Sequence, residues 1–285
     1  MRREEVAMKR PLTEKQRDIL KRQAEFEVQG KLNDHVEEIT WEHVDRVTAD
    51  FDFVPKRFSF RLWSALVRLI VGLILGPVLN KIACGTTVKG RKNLKGIKSA
   101  IVTCNHVHDL DNLMVRQAVR GHSLYIAVGE FNNFNNFIGK IMRGGGTLPL
   151  SQNITAMRNF SSAVRDLLAR NCYVLFYPEG ALWWRYEKPR PYMTGAFHYA
   201  VQSNVPVIPT FITYKRAGWL RRHIYSTKKV MTINVLPPVY CPKGLDRHDA
   251  IEHLRDKTFE AVKAFYEAYY HKPLVYDGVL PDIDA

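Results

Sequence analysis

The spacing of apolar residues divides the chain into stretches of different character. Residues 1 to about 50 are densely charged, with apolar positions at irregular intervals, and read as a charged helical N-terminal region, 1–52. The run "FDFVPKRFSFRLWSALVRLIVGLILGPVLNKIACG" follows. Its uninterrupted apolar core, Leu69 to Leu79, is shorter than the roughly 20 residues a spanning helix needs. Gly72, Gly76 and Pro77 interrupt it further. Phe58, Phe60 and Trp63 flank it, as do Lys56, Arg57, Arg61, Arg68 and Lys81. An apolar segment edged by aromatics and cations reads as an interfacial or half-inserted helix at a membrane surface, residues 53–84. Length alone equally allows a buried core helix, and the complete absence of acids favours the membrane.

After Cys84 the pattern alternates between short β-rich runs and stretches of helical periodicity. "SAIVTCN" (99–105), "SLYIAV" (123–128), "TLPL" (147–150) and "CYVLFYPEG" (172–180) read as strands, the last ending in a turn. "VPVIPTFITY" and "KVMTINVLPPVY" read as further strands. Helices are predicted between them: "DNLMVRQAVRG", "FNNFIGKIMRGGG" stopped by its glycines, "NITAMRNFSSAVRDLLAR" with Asn153 as N-cap, and "GAFHYAVQS". Residues 247–270 have the spacing of a last amphipathic helix, ahead of an acidic, loosely held tail, 272–285. The alternation predicts an α/β domain over 85–271, with a mixed, mostly parallel central sheet flanked by helices. Loops at the carboxyl ends of such strands make the site.

Composition and charge narrow the functional classes. Cys84, Cys104, Cys172 and Cys241 are widely spaced, which excludes a disulfide scaffold or structural zinc and fits a reducing compartment. The opening "MRREEVAMKRPLTEKQRD" lacks the apolar core of a secretory signal. The net charge of +14 is segregated: no acid occurs from Phe53 to His108 or from Lys188 to Leu245, windows rich in Lys and Arg. Particular surfaces therefore meet anions, with nucleic acid, anionic lipid and phosphorylated small molecules as the options. No nucleic-acid reading motif is present.

The densest chemistry lies in "TCNHVHDLDNLM" (103–114). Two histidines and two aspartates between His106 and Asp111 suggest a binuclear metal loop of the HxHxDH kind, but the register fails. Leu110 stands where Asp is needed and Asp111 where His is needed. A dyad is more economical. Asp111, opening a helix, can fold back onto His106, fix its tautomer and make it a general base. No GxSxG-type nucleophile is present, so the hydroxyl it serves belongs to the substrate. His108 and Asp109 read as polar groups that cap the helix.

Three blocks in order, "NHVHDLD" (NHx4D), "YPEG" and "VPVIP", resemble the glycerolipid acyltransferases typified by 1-acyl-sn-glycerol-3-phosphate acyltransferase, over about residues 85–240. The resemblance implies acyl transfer from an acyl thioester, acyl-CoA or acyl-ACP, to the free hydroxyl of a lysophospholipid. It implies no other cofactor, no metal and no covalent acyl-enzyme. His106 would be the base, Asp111 its orienting partner, and Asn105 the residue shaping the turn. Glu179 and Gly180 would help form the pocket for the phosphorylated acceptor, bordered by Pro206 and Pro209. The family's phosphate-binding arginine after "GTLPL" is replaced here by Ser151 and Gln152, which leaves Arg185, Lys188 and Arg158 as substitutes. Trp183 and Trp184 would line the acyl side or serve as core aromatics. The implied location is the cytoplasmic face of a membrane, peripheral or monotopic. The alternatives are a lysophospholipid-remodelling transacylase of the same fold and a non-catalytic basic peripheral protein.

Overall fold

The apolar runs fold as the central strands of one sheet. In the computed structural model, residues 12–82, 84–219, 221 and 229–279 are described. The first eleven residues of the expected N-terminal helix and the end of the acidic tail, 280–285, lie outside them. In chain order the elements are α1 (Glu14–Val28), α2 (Phe58–Leu69), a π-helical turn (Ile70–Leu75), α3 (Gly76–Ile82), β1 (Thr87–Lys89), β2 (Ala100–Thr103), α4 (Asp111–Ala118), β3 (Leu124–Val128), α5 (Phe137–Gly145), β4 (Thr147–Pro149), α6 (Ile154–Ala169), β5 (Tyr173–Phe176), α7 (Gly195–Ser203), β6 (Val207–Arg216), β7 (Lys229–Val235) and α8 (Arg247–Tyr270).

The strand order is β1-β7-β6-β2-β5-β3-β4, parallel throughout except for the β6–β7 pair. The expected mixed, mostly parallel sheet is therefore what forms. β2 and β5 are buried along their whole length, because helices cover both faces of the sheet. Side chains alternate between the two cores. Val174 and Phe176 point to the side of α6, α7 and α8, with Phe160, Phe197 and Leu254. Tyr173 and Leu175 point to the side of α4, with Met114 and Val115. β2 lies between β6 and β5, so its carboxyl end opens at the point where connections leave in opposite directions.

The structure differs from the sequence reading in three places that bear on the site. Helix in the N-terminal region ends at Val28, and Gly30 takes a left-handed φ of 71°. Residues 29–57 are then irregular and lie on the domain, their polar groups satisfied by it rather than by a helix. Asn33 Nδ2 donates to Glu179 O (2.9 Å) and Pro191 O (2.8 Å), and Val47 N donates to Glu130 Oε1 (2.8 Å).

The segment 58–82 is one 25-residue helix, despite Gly72, Gly76 and Pro77. At 1.5 Å per residue this is about 37 Å, long enough for a hydrocarbon core of about 30 Å. The missing Pro77 N–H is absorbed by the π-turn, where Gly76 N donates to Val71 O. A Cβ on Gly76 would stand 2.6 Å from that carbonyl, so the turn needs glycine.

The tail, thirdly, is held up to the last described residues. Tyr276 Oη donates to Pro189 O (2.7 Å) and Asp277 pairs with Lys188 (2.6 Å).

Candidate active site

β2 delivers the site directly. Its apolar run ends in Asn105, fully buried, whose amide clamps β6 by accepting from Ile212 N (2.7 Å) and donating to Ile212 O (3.1 Å). The turn that follows is thereby fixed against the sheet, and Asn105 acts as a brace with no exposed surface for substrate. His106 comes next. Asp111 opens α4, and its carboxylate folds back so that Oδ2 meets His106 Nδ1 at 2.7 Å and accepts Val107 N at 3.2 Å. The first turn of a helix favours a negative charge there. Asp111 is fully buried, while His106 is 26 % exposed. With Nδ1 committed to Asp111, Nε2 is the nitrogen left to serve a substrate.

The second motif loop locks onto the first. Trp183 N donates to His106 O and Arg185 N to Val107 O, both at 2.9 Å. Tyr177, the first residue of "YPEG", donates its hydroxyl to Asp111 Oδ1 at 2.5 Å. Its ring stacks on the His106 imidazole, centroids 4.0 Å apart and planes 16° from parallel. Burial and the neighbouring Asp111 carboxylate push the Tyr177 phenol well above the ordinary tyrosine range, so it stays a donor.

Glu179, expected to help form the acceptor pocket, is turned into the protein interior. It is 1 % exposed, and its carboxylate takes Arg190 Nη2 (2.7 Å), Arg190 Nε (3.1 Å), Arg190 N (3.0 Å) and His106 N (3.3 Å). A buried carboxylate needs this many donors to remain charged. Gly180 has φ 82°, and Met193 Cε would lie 2.8 Å from a Cβ there, so the glycine closes the turn.

The substitutes for the missing phosphate arginine separate in space. Lys188 is consumed by Glu27 and Asp277, each at 2.6 Å, and is 13 % exposed. It is a structural cation tying α1 and the tail to the loop. Arg185 is exposed beside the dyad loop, with φ 58° and its guanidinium over the Trp184 ring at 4.6 Å. Arg158 is exposed on the first turns of α6. Trp183 is wholly buried, donating Nε1 to Asp34 O (2.9 Å), and is a core aromatic. Ser151 Oγ, which stands near the arginine's usual place, donates to Val47 O (2.6 Å).

His108 turns its ring onto the loop ahead of α4, and no side chain caps the first turn of that helix. His108 Nδ1 accepts Leu110 N at 3.0 Å, and burial lowers its pKa, so it is held neutral. Cys104 adjoins the dyad but is fully buried. Burial, then Asp111, pushes its thiol well above the usual range, so it offers no nucleophile.

Sequence reasoning missed Arg190, Tyr177 as a partner of Asp111, and the contribution of residues 29–47. His35 lies near enough for His106 to depress its pKa, second only to burial as a cause, and its ring meets Phe131 edge-on at 5.6 Å. Tyr177 stands inside a quoted motif, where only its position and not its hydroxyl was read. Arg190 sits in "EKPRP" with no local sign of its partner.

A His–Asp pair, with Nδ1 committed to a buried carboxylate and the imidazole 26 % exposed, thus stands at the carboxyl end of a central strand in a doubly covered, mostly parallel sheet. A family model described as Acyltransferase matches residues 85–213. The chain is 27 % identical over 156 residues to the 1-acyl-sn-glycerol-3-phosphate acyltransferase alpha of Ovis aries, covering 53 % of each chain. It is 22 % identical over 209 residues to the 1-acyl-sn-glycerol-3-phosphate acyltransferase of Limnanthes douglasii, covering 71 % of this chain and 70 % of that one. Against the crystal structure of the 1-acyl-sn-glycerophosphate acyltransferase from Thermotoga maritima the TM-score is 0.43 at 15 % identity, covering 71 % of this chain and 94 % of that one. The chain spans about half the length of the mammalian relatives it matches. The chain is therefore similar to the glycerolipid acyltransferases over its central part, where its three motif blocks lie.

Proposed function

We propose that the chain is an O-acyltransferase that moves a fatty acyl group from acyl-CoA or acyl-ACP to the free hydroxyl of a lysophospholipid, with 1-acylglycerol-3-phosphate as the acceptor. The observation that carries this is the 2.7 Å pairing of Nδ1 of the 26 % exposed His106 with a fully buried Asp111, which leaves Nε2 as the nitrogen to serve a substrate. His106 Nε2 takes the acceptor hydroxyl proton while the oxygen attacks the thioester carbonyl. The C–S bond breaks as the new ester forms, and the imidazolium returns its proton to the departing thiolate. Asp111 holds the tautomer and stabilises the imidazolium without itself taking the proton.

Access from a bilayer is supported by the exposed face of α2, the π-turn and α3, which presents Leu62, Leu69, Leu73 and Ile74 beside Phe137 and Ile138 of α5. The helix is fastened to the domain near both ends, by Ser64 Oγ to Gly144 O (2.7 Å) and Asn80 Nδ2 to Leu113 O (3.0 Å). It would therefore lie in the membrane surface rather than cross it, making the protein monotopic.

The test is acyl transfer to a panel of lysophospholipids, with acyl-CoA and acyl-ACP supplied separately. His106→Ala and Asp111→Asn should each lower kcat by about two orders of magnitude or more, and His108→Ala only slightly. Arg185→Ala should raise the KM for the phosphorylated acceptor and spare that for the donor, since arginine grips phosphate bidentately. Full turnover in His106→Ala, or activity lost on chelation and restored by zinc, would overturn the mechanism.

A further inference from the structure

We propose that Tyr177 is a positioning residue of the dyad: its hydroxyl holds the second oxygen of Asp111 and its ring holds the His106 imidazole flat, so that one side chain sets both the orientation and the basicity of the base. The inference rests on the general-base reading above. Among the described residues, Tyr177 engages both members of the pair with its side chain, through a 2.5 Å hydrogen bond to Asp111 Oδ1 and a ring stack on His106 at 4.0 Å. It follows β5 directly, and Gly180 N donates to its carbonyl at 3.0 Å, so its backbone is fixed by the sheet on one side and the "YPEG" turn on the other.

The chemistry follows from how Asp111 shares its charge. Oδ2 serves the imidazole and Val107 N, and Oδ1 serves Tyr177. A donor on a carboxylate draws negative charge toward itself and weakens the carboxylate's hold on the imidazolium. The hydrogen bond from Tyr177 thus loosens the grip of Asp111 on the imidazolium relative to the same aspartate with Oδ1 bare. Phenylalanine at 177 would keep the stack and lose this effect, which makes the two roles separable.

Other charged and titratable groups also face His106. His35 approaches from the N-terminal segment, and the Glu179 carboxylate, neutralised by Arg190, meets its backbone N–H. Cys104 is buried beneath the dyad, close to the Asp111 carboxylate. Arg185 and His108 lie on the adjoining loops. Cys104 and Arg116 of α4 also interact with Tyr177 itself, and all of these groups are common to every variant compared.

The full chain in detergent micelles would be studied in two ways. The His106 imidazole would be titrated by ¹⁵N NMR, which needs no turnover, and the pH profile of kcat/KM would be recorded alongside. Tyr177→Phe should move the imidazole midpoint and the acid limb of the rate profile upward together, by about half a pH unit to one unit. Its alkaline-plateau rate should stay within a few-fold of the parent. Tyr177→Leu, which also loses the stack, should lower kcat about tenfold at all pH with the acceptor KM unchanged. Replacement of Tyr177 by 3,5-difluorotyrosine preserves shape and strengthens the donor, so its midpoint should move downward even if the phenylalanine variant fails to fold. A midpoint that is the same in the parent, Tyr177→Phe and difluorotyrosine proteins overturns the proposal. If the midpoints move but the parent shows no acyl transfer on any lysophospholipid, the tuning stands and the proposed function falls.

Discussion

Replacing Arg190 by methionine separates two roles for Glu179, a group that binds the acceptor and a brace beneath the base. The guanidinium is fully buried and donates to Glu179 Oε2 twice, to Leu32 O (2.9 Å) and to Ala181 O (2.5 Å). Methionine fills much of the same volume and removes all of these donors. Glu179, 1 % exposed, would keep only the backbone donors of Arg190 and His106. Removing one partner of a buried ion pair costs about 3–5 kcal/mol, because the other charge is left uncompensated. Two carbonyls that lose their donor add about 1 kcal/mol each or more. The loss should therefore be about 5 kcal/mol in urea unfolding, followed by circular dichroism in micelles, with an unchanged slope. Glu179→Gln should be similarly destabilising, and the double change Glu179→Leu with Arg190→Met should recover part of the loss. If Arg190→Met costs under about 1 kcal/mol, or if Glu179→Gln leaves stability intact and raises only the acceptor KM, then Glu179 faces substrate and the brace is wrong.

Two further outcomes follow from the surface and from the half-buried His108 imidazole. Leu73→Glu combined with Ile74→Glu removes two exposed apolar side chains from the 58–82 helix, each worth about 1.5 kcal/mol or more on burial. Co-sedimentation with anionic vesicles should weaken about a hundredfold, and undiminished binding would refute the membrane role of this face. His108 is held neutral by burial, which keeps its pKa below the ordinary histidine value of about 6.5. The unfolded chain binds that proton more readily, so the associated stability is complete above about pH 6.5 and lost as pH falls from there toward the folded-state value. His108→Asn, which keeps an acceptor for Leu110 N, should flatten the fall of Tm between about pH 6.5 and pH 5, and an unchanged slope would refute the assignment.

Much of this protein was legible before any tertiary structure. Apart from Thr103, β2 and β5 consist of apolar and aromatic residues, and in an alternating α/β pattern such runs become strands covered on both faces. His106 and Asp111 are five residues apart, spanning a strand end and a helix start, so the dyad is a local feature that short-range geometry nearly dictates. Asn153 caps α6 as expected, accepting from Ala156 N. The continuous helix across Gly72, Gly76 and Pro77 was not legible, because a π-turn can absorb the proline and residue preferences alone do not announce it.

What only the tertiary structure decided is the pairing of polar groups distant in sequence. Lys188, a cation in an acid-free window, finds Glu27 and Asp277 and so is unavailable to a phosphate. Tyr177 reaches Asp111 across 66 residues, and Asn33 reaches Glu179 across 146. Apolar periodicity determines which residues are buried and in which element, since burial depends on the local pattern of faces. Which buried polar groups meet depends on the order β6-β2-β5, which brings the loops after β2 and β5 side by side and folds residues 29–47 against them. No local spacing encodes that order, so the dyad could be read from the sequence while the side chains that tune and brace it could not.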